Sequence, residues 1–104
     1  MAKRKVNWTK EATSDIFDIM WYYTKRNKSS VYSDKLLFEI KQKLKTLDFS
    51  VALPQKTTVE NLFYFTHNHI SVFFSIQNAN LFVKFVIDDR RNPESLKKLL
   101  LNFD

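Results

Sequence analysis

Leu81-Phe-Val-Lys-Phe-Val-Ile-Asp-Asp-Arg-Arg-Asn-Pro-Glu-Ser-Leu96 is a run of alternating apolar residues that passes directly into two adjacent arginines, after which a proline opens a helix. The alternation predicts a strand over Leu81–Ile87, with Leu81, Val83, Phe85 and Ile87 on one side and Lys84 on the other. Pro93 suits the first helical position, where no N–H is required. Asn92 is its cap, and Glu94 lies in the positive first turn. This order sets two permanent cations at a sheet edge beside a helix N-terminus, a place suited to phosphate or to a partner's carboxylates.

The segment upstream repeats the pattern. In Ile70–Gln77, Ile70, Val72, Phe74 and Ile76 share one face, while Ser71, Phe73, Ser75 and Gln77 share the other. Asn78-Ala79-Asn80 turns the chain between these two strands. His67-Asn68-His69 turns it before them, after a strand predicted over Val59–Thr66. The chain contains no glycine, so any backbone position with positive φ falls to Asn, Asp or a strained residue. Three strands in a row with clean alternation predict an antiparallel meander. One face is covered, and the other is more polar and partly open.

The cover comes from the first half. Lys3–Trp8 is a short strand, and Thr9 is an N-cap with Glu11 behind it. Ala12, Ile16, Ile19, Met20 and Tyr23 recur at helical spacing from Lys10 to about Arg26, and Asn27 ends that helix. Ser29 or Ser30 caps a second helix running to about Asp48. Its stripe is Tyr32, Leu36, Leu37, Ile40, Leu44 and Leu47, with Glu39, Lys41 and Lys45 opposite. Two helices so closely joined form an antiparallel hairpin. Residues 49–58 are expected to be a loop, with Pro54 excluding a central strand. The fold class is therefore α+β. An N-terminal strand and a helical hairpin pack on one face of a mainly antiparallel sheet, completed by the three-stranded meander and a short C-terminal helix.

Composition narrows the function. A chain of 104 residues is expected to be a single domain spanning 1–104. A net charge of +6 draws it toward nucleic acid or an acidic protein, although lysines on a solvated helix face account for part of it. Without cysteine there is no disulfide or thiolate metal site, and the expected home is the cytoplasm. Without glycine there is no phosphate-binding loop, dinucleotide turn or nucleophile elbow. No apolar run is long enough for a membrane span, and Met1-Ala-Lys-Arg-Lys5 has no apolar region after it to make a signal peptide.

Trp8-Thr9-Lys10-Glu11-Ala12 opening the first helix, Ile16 and Ile19 along it, Tyr22-Tyr23 near its end, and Val86-Ile87-Asp88-Asp89-Arg90-Arg91-Asn92-Pro93-Glu94 carry a likeness. In this order, across roughly Lys5 to Leu96, they resemble the RelE/ParE superfamily. Its members are the toxin halves of bacterial type II toxin–antitoxin pairs, often labelled plasmid stabilisation proteins. The resemblance implies a cytoplasmic growth inhibitor held by a cognate antitoxin in a hetero-oligomer, with no cofactor and no membrane. ParE-like members bind DNA gyrase. RelE-like members are metal-independent endoribonucleases that cut mRNA on the ribosome. This chain departs from the pattern twice. Ile70 and Ser71 stand where many members have a Tyr-Arg pair, and Asp88 and Asp89 stand where a histidine pair precedes the double arginine. A ParE-like toxin is the leading expectation. A RelE-like nuclease, or a decayed member that only grips its antitoxin, is the alternative.

If the chain is a nuclease, its catalytic candidates are Arg90, Arg91, His69 and Lys84: cations for the transition-state charge and a histidine to move the proton. Lys56, His67, Arg90 and Arg91 are binding candidates, and no metal site is expected. His67 and His69 are placed on the same side as Ser71, or else are simply turn residues. Asp88, Asp89 or Glu94 are alternative partners for the arginines. Trp21, Tyr22, Tyr23 and Tyr64 are expected in the core rather than stacking on bases.

Overall fold

A computed structural model describes residues 5–46, 55–57, 59–91 and 94. The chain runs β1 (Lys5–Trp8), α1 (Lys10–Asn27), α2 (Val31–Thr46), β2 (Gln55–Lys56), β3 (Phe63–His67), β4 (Ile70–Gln77) and β5 (Asn80–Asp88). One sheet holds all five strands in the order β1-β5-β4-β3-β2. β1 runs parallel to β5, and the other neighbours are antiparallel. The α+β architecture expected from the sequence is present. The helix expected from Pro93 and the end of the second helix at Leu47–Asp48 lie outside the described residues. No described helix is long and apolar enough to cross a membrane.

Helices in proteins owe most of their stability to packing of an amphipathic face. Ala12, Ile16, Ile19 and Tyr23 of α1 meet Leu36, Ile40 and Leu44 of α2 over Ile70, Val72, Phe74, Leu81, Val83 and Val86 of the sheet. Ser33 locks the hairpin: its hydroxyl donates to the Met20 carbonyl at 2.9 Å and lies 2.9 Å from the Thr24 hydroxyl. α1 ends where Lys28 takes φ 55° and its N–H turns back to the Lys25 carbonyl. The Ser29 N–H reaches the Thr24 carbonyl, closing a capped terminus without glycine. The remaining positive φ values among the described residues fall on Asn61, Asn68 and Asn78, the residue type that tolerates that region best.

β5 does not keep its alternation. Phe74 pairs with Val83 but Phe73 pairs with Phe85, so Lys84 is an extra residue in a β-bulge. Leu81 and Val83 face the helices. Past the bulge the faces exchange, and Val86 and Asp88 face the helices while Phe85 and Ile87 turn away. The expected single face of Leu81, Val83, Phe85 and Ile87 is therefore split in two. A bulge leaves backbone groups without ladder partners, and α1 supplies them. Thr9 donates from its N–H (3.1 Å) and its hydroxyl (2.8 Å) to the Val83 carbonyl. The same hydroxyl lies 3.1 Å from the Lys84 carbonyl and accepts from the Ala12 N–H. Asp15 accepts from the Val86 N–H at 3.1 Å, and burial pushes this carboxyl above its ordinary range.

Three further expectations are corrected. Val59–Leu62 is a turn, not strand, because Asn61 takes φ 58° and its side-chain amide pairs with both backbone groups of Ile76. Gln55–Lys56, expected as loop, forms a two-residue edge strand. The second sheet face is also not open at its centre. Phe73 is 0 % exposed, stacked between Tyr64 at 5.1 Å and Phe85 at 4.6 Å, with Ser71 and Ser75 buried beside it.

Thr9 is both cap and bulge partner, so Thr9→Val is expected to lower unfolding free energy by about 1–2 kcal/mol. Thr9→Ser, which keeps the hydroxyl, should retain most of it. Urea denaturation of the two variants checks this.

Candidate functional site

The face exchange turns Asp88 inward, where it is 1 % exposed. A buried carboxylate is costly unless its oxygens are satisfied. The Tyr23 hydroxyl donates to one oxygen at 2.8 Å, and the Arg90 N–H donates to the other at 3.0 Å. The Tyr23 hydroxyl also lies 2.7 Å from His69 Nε2. Tyr23 has one proton and gives it to Asp88. Its oxygen is then the acceptor, and the proton on His69 is assigned to Nε2. The His69–Asp88 separation of 3.9 Å adds no second hydrogen bond.

Burial and Asp88 push the Tyr23 hydroxyl well above its ordinary range, because a tyrosinate beside a buried carboxylate is disfavoured. Burial holds His69 below its ordinary value. Asp88 opposes that effect and the Arg90 charge adds to it. Burial thus favours the Tyr23 phenol and the uncharged imidazole, and the two form a hydrogen-bonded chain with the Asp88 side chain rather than an ion pair.

This chain forms the wall of an open cleft of about 580 Å³ lined by Tyr23, Arg26, Asn27, Tyr32, Asn68, His69 and Arg90. α1 contributes its last turn, α2 contributes Tyr32, the β3–β4 turn contributes Asn68 and His69, and the end of β5 leads into Arg90. Both charged lining residues are cationic.

The candidates from the sequence do not form one site. His69 and Arg90 meet here. Arg91 instead lies over the Tyr22 ring at 4.1 Å and 3.5 Å from Asp18, in a neighbouring cleft with Trp21 and Lys25 that shares Arg26 with the first. That ion pair is exposed, and such pairs are worth ~0–1 kcal/mol. Lys84 sits at the bulge, beside a third cleft with Glu11 and Val59–Leu62, its amine 5.9 Å from the Phe82 ring. Lys56 is exposed on the edge strand. His67 pairs with Glu39 of α2 at 3.0 Å. Both histidines thus lie on the helix side, not with Ser71 as expected. Ser71 donates to Asp89 on the other face (2.9 and 3.0 Å) and meets Thr66 at 3.1 Å. Burial pushes the Asp89 carboxyl upward, partly offset by that hydroxyl.

Trp21 and Tyr22 are likewise not core; Trp21 is 64 % exposed. Tyr23 is in the core as expected, but its hydroxyl does more than fill space. Arg26 was not among the sequence candidates. Its spacing of three from Tyr23 places both on one helix face, a signal available only once Tyr23 is known to matter.

No family model matches the chain, and no curated protein matches it. Among solved structures it is similar to a chain of the chromosomal ParDE toxin–antitoxin system from P. aeruginosa. The TM-score is 0.63 at 13 % identity, over 82 % of this chain and 95 % of that one. The likeness establishes the fold alone: this chain and that chain of the ParDE system share one architecture.

Tyr23→Phe leaves one Asp88 oxygen and the His69 N–H without their partner, and is expected to cost about 1–3 kcal/mol. His69 also gives stability a pH dependence. Unfolded, it takes a proton near its ordinary value of 6.5, while the folded site resists protonation. Its contribution is complete above that value and lost as the pH falls through the lower folded one. Denaturation at pH 7.5 and 5.5 should show a smaller acid-side loss in His69→Gln than in the native chain.

Proposed function

We propose that this chain is the toxin of a type II toxin–antitoxin pair: a ParE-like growth inhibitor that acts in the cytoplasm by blocking DNA gyrase and is neutralised by a cognate antitoxin. The observation that carries the reading is the fold likeness to a chain of a ParDE system across nearly all of that chain. Two features add support. The cations expected of a nuclease are dispersed over separate clefts, and Ser71 is engaged with Asp89 rather than offering a charge. Exposed Phe17, Trp21 and Phe38 on the helices, together with a net charge of +6, suit an acidic amphipathic antitoxin segment.

A second reading, a metal-independent mRNA endoribonuclease acting on the ribosome, draws on one observation: His69 and Arg90 share a cleft with Arg26. Induced expression without an antitoxin separates the two. The gyrase reading expects arrested growth and loss of supercoiling by purified gyrase at micromolar protein. The nuclease reading expects new codon-linked ends by primer extension, with supercoiling intact. Folded protein that leaves both growth and supercoiling unchanged would overturn the proposal.

A further inference from the structure

We propose that the cleft between the end of α1 and the β3–β4 turn is a phosphate site for a nucleotide phosphomonoester, either a free mononucleotide or the terminal phosphate of an RNA strand. The inference shares its cleft with the nuclease reading but requires neither cleavage nor a toxin target, so a binding titration tests it separately from growth arrest or new mRNA ends.

Charge is the first argument. Arg26 and Arg90 come from different elements to one cleft, and Asp88, the acid behind it, is fully engaged by Tyr23 and the Arg90 N–H. Arg91, one residue further on, has Asp18. Neither Arg26 nor Arg90 has an ion pair among the described residues. Arg26 also borders the neighbouring cleft of Arg91, but two arginines lining one space repel each other unless an anion joins them, and a dianionic phosphate offers enough oxygens for both planar forks. A single carboxylate is suited to one.

The cleft's rigidity is the second argument. The His69 ring is held by its Nε2 hydrogen bond to Tyr23 and by an edge contact with the Tyr23 ring, centroids 5.3 Å apart. Tyr23 is in turn anchored to Asp88, and the Asp89 N–H ties down the His69 carbonyl at 2.8 Å. Ordering groups before a ligand arrives lowers the cost of binding it. The carbonyl end of α1 opposes an anion; the Lys28 and Ser29 N–H groups take the Lys25 and Thr24 carbonyls, and the two arginines supply the attraction that outweighs the rest.

The groups around the arginines also suit a nucleotide. Asn27 and Asn68 are neutral hydrogen-bonding amides, and half-buried Tyr32 puts an aromatic side chain, the type that stacks on bases, in the lining. A volume of about 580 Å³ lies in the range of small-ligand sites.

The test is a titration of the ¹⁵N-labelled full chain followed by amide shifts. Its ligands are adenosine 5′-monophosphate, inorganic phosphate, adenosine, a short single-stranded RNA with and without a 5′-phosphate, and an acidic peptide. The proposal expects the monophosphate to move amides around Asn27, Asn68, His69 and Arg90, adenosine to move none, and phosphate to bind more weakly at the same amides. Tighter binding of the 5′-phosphorylated RNA than of the monophosphate would identify an RNA end as the source; the reverse would identify a free nucleotide. Arg26→Gln and Arg90→Gln, both at exposed positions, should each weaken binding by about tenfold. Lys45→Gln, an equal charge loss elsewhere, should leave it unchanged. Equal binding of adenosine, equal weakening by Lys45→Gln, saturation of the cleft by the acidic peptide alone, or no shifts at millimolar monophosphate would each overturn it.

Discussion

The Thr9 hydroxyl, bound to the carbonyls at the Lys84 bulge, is the contact on which the remaining geometry depends. It fixes where α1 begins relative to β5, and Asp15 repeats the connection nearly two turns later at Val86. Between them, these contacts let one extra residue sit in the strand with its backbone satisfied. That extra residue reverses which side chains face the helices. Without it, Asp88 would point away from α1 and Tyr23 would have no acceptor. The registration of α1 on the sheet and the content of the cleft are thus one fact observed at two ends of the same helix.

The polar group that results is unusual in lying within an aromatic neighbourhood. Tyr23 touches Tyr22, Tyr32 and His69 edge-on, and burial biases the protonation of both Tyr23 and His69. Removing one member from such an array leaves the others desolvated and unpaired, so its members behave as a unit. The same burial keeps the imidazole uncharged. The positive character of the cleft therefore comes from its arginines and does not vary with modest changes in pH.

Much of the fold was legible in the amino acids. The stripes Ala12–Ile16–Ile19–Tyr23 and Leu36–Ile40–Leu44 gave the hairpin, and Ile70–Gln77 has the bounds its alternation predicted. β5 was misread because Phe82, Phe85, Val86 and Ile87 are apolar on both sides of Lys84. A bulge that exchanges one apolar face for another leaves no mark on the pattern. Val59–Leu62 was misread because Val59 and Leu62 look strand-like, while Asn61 substitutes its side-chain amide for a backbone partner. The site was half legible. His69 and Arg90 stand out as residue types, but Tyr23 and Arg26 join them through contacts spanning more than forty residues, which no local spacing encodes.

The parallel pairing of β1 with β5 joins residues 5–8 to residues 80–83. During synthesis the helical hairpin emerges early, yet the strand that covers its apolar stripe and receives its Thr9 cap is among the last described segments to be made. Long-range pairing of this kind is slow, and exposed stripes associate while they wait. A nascent copy of this protein therefore passes through a stage as an uncovered amphipathic hairpin, after Thr46 and before Asp88 is made, the state in which a partner's apolar segment has the least competition for it.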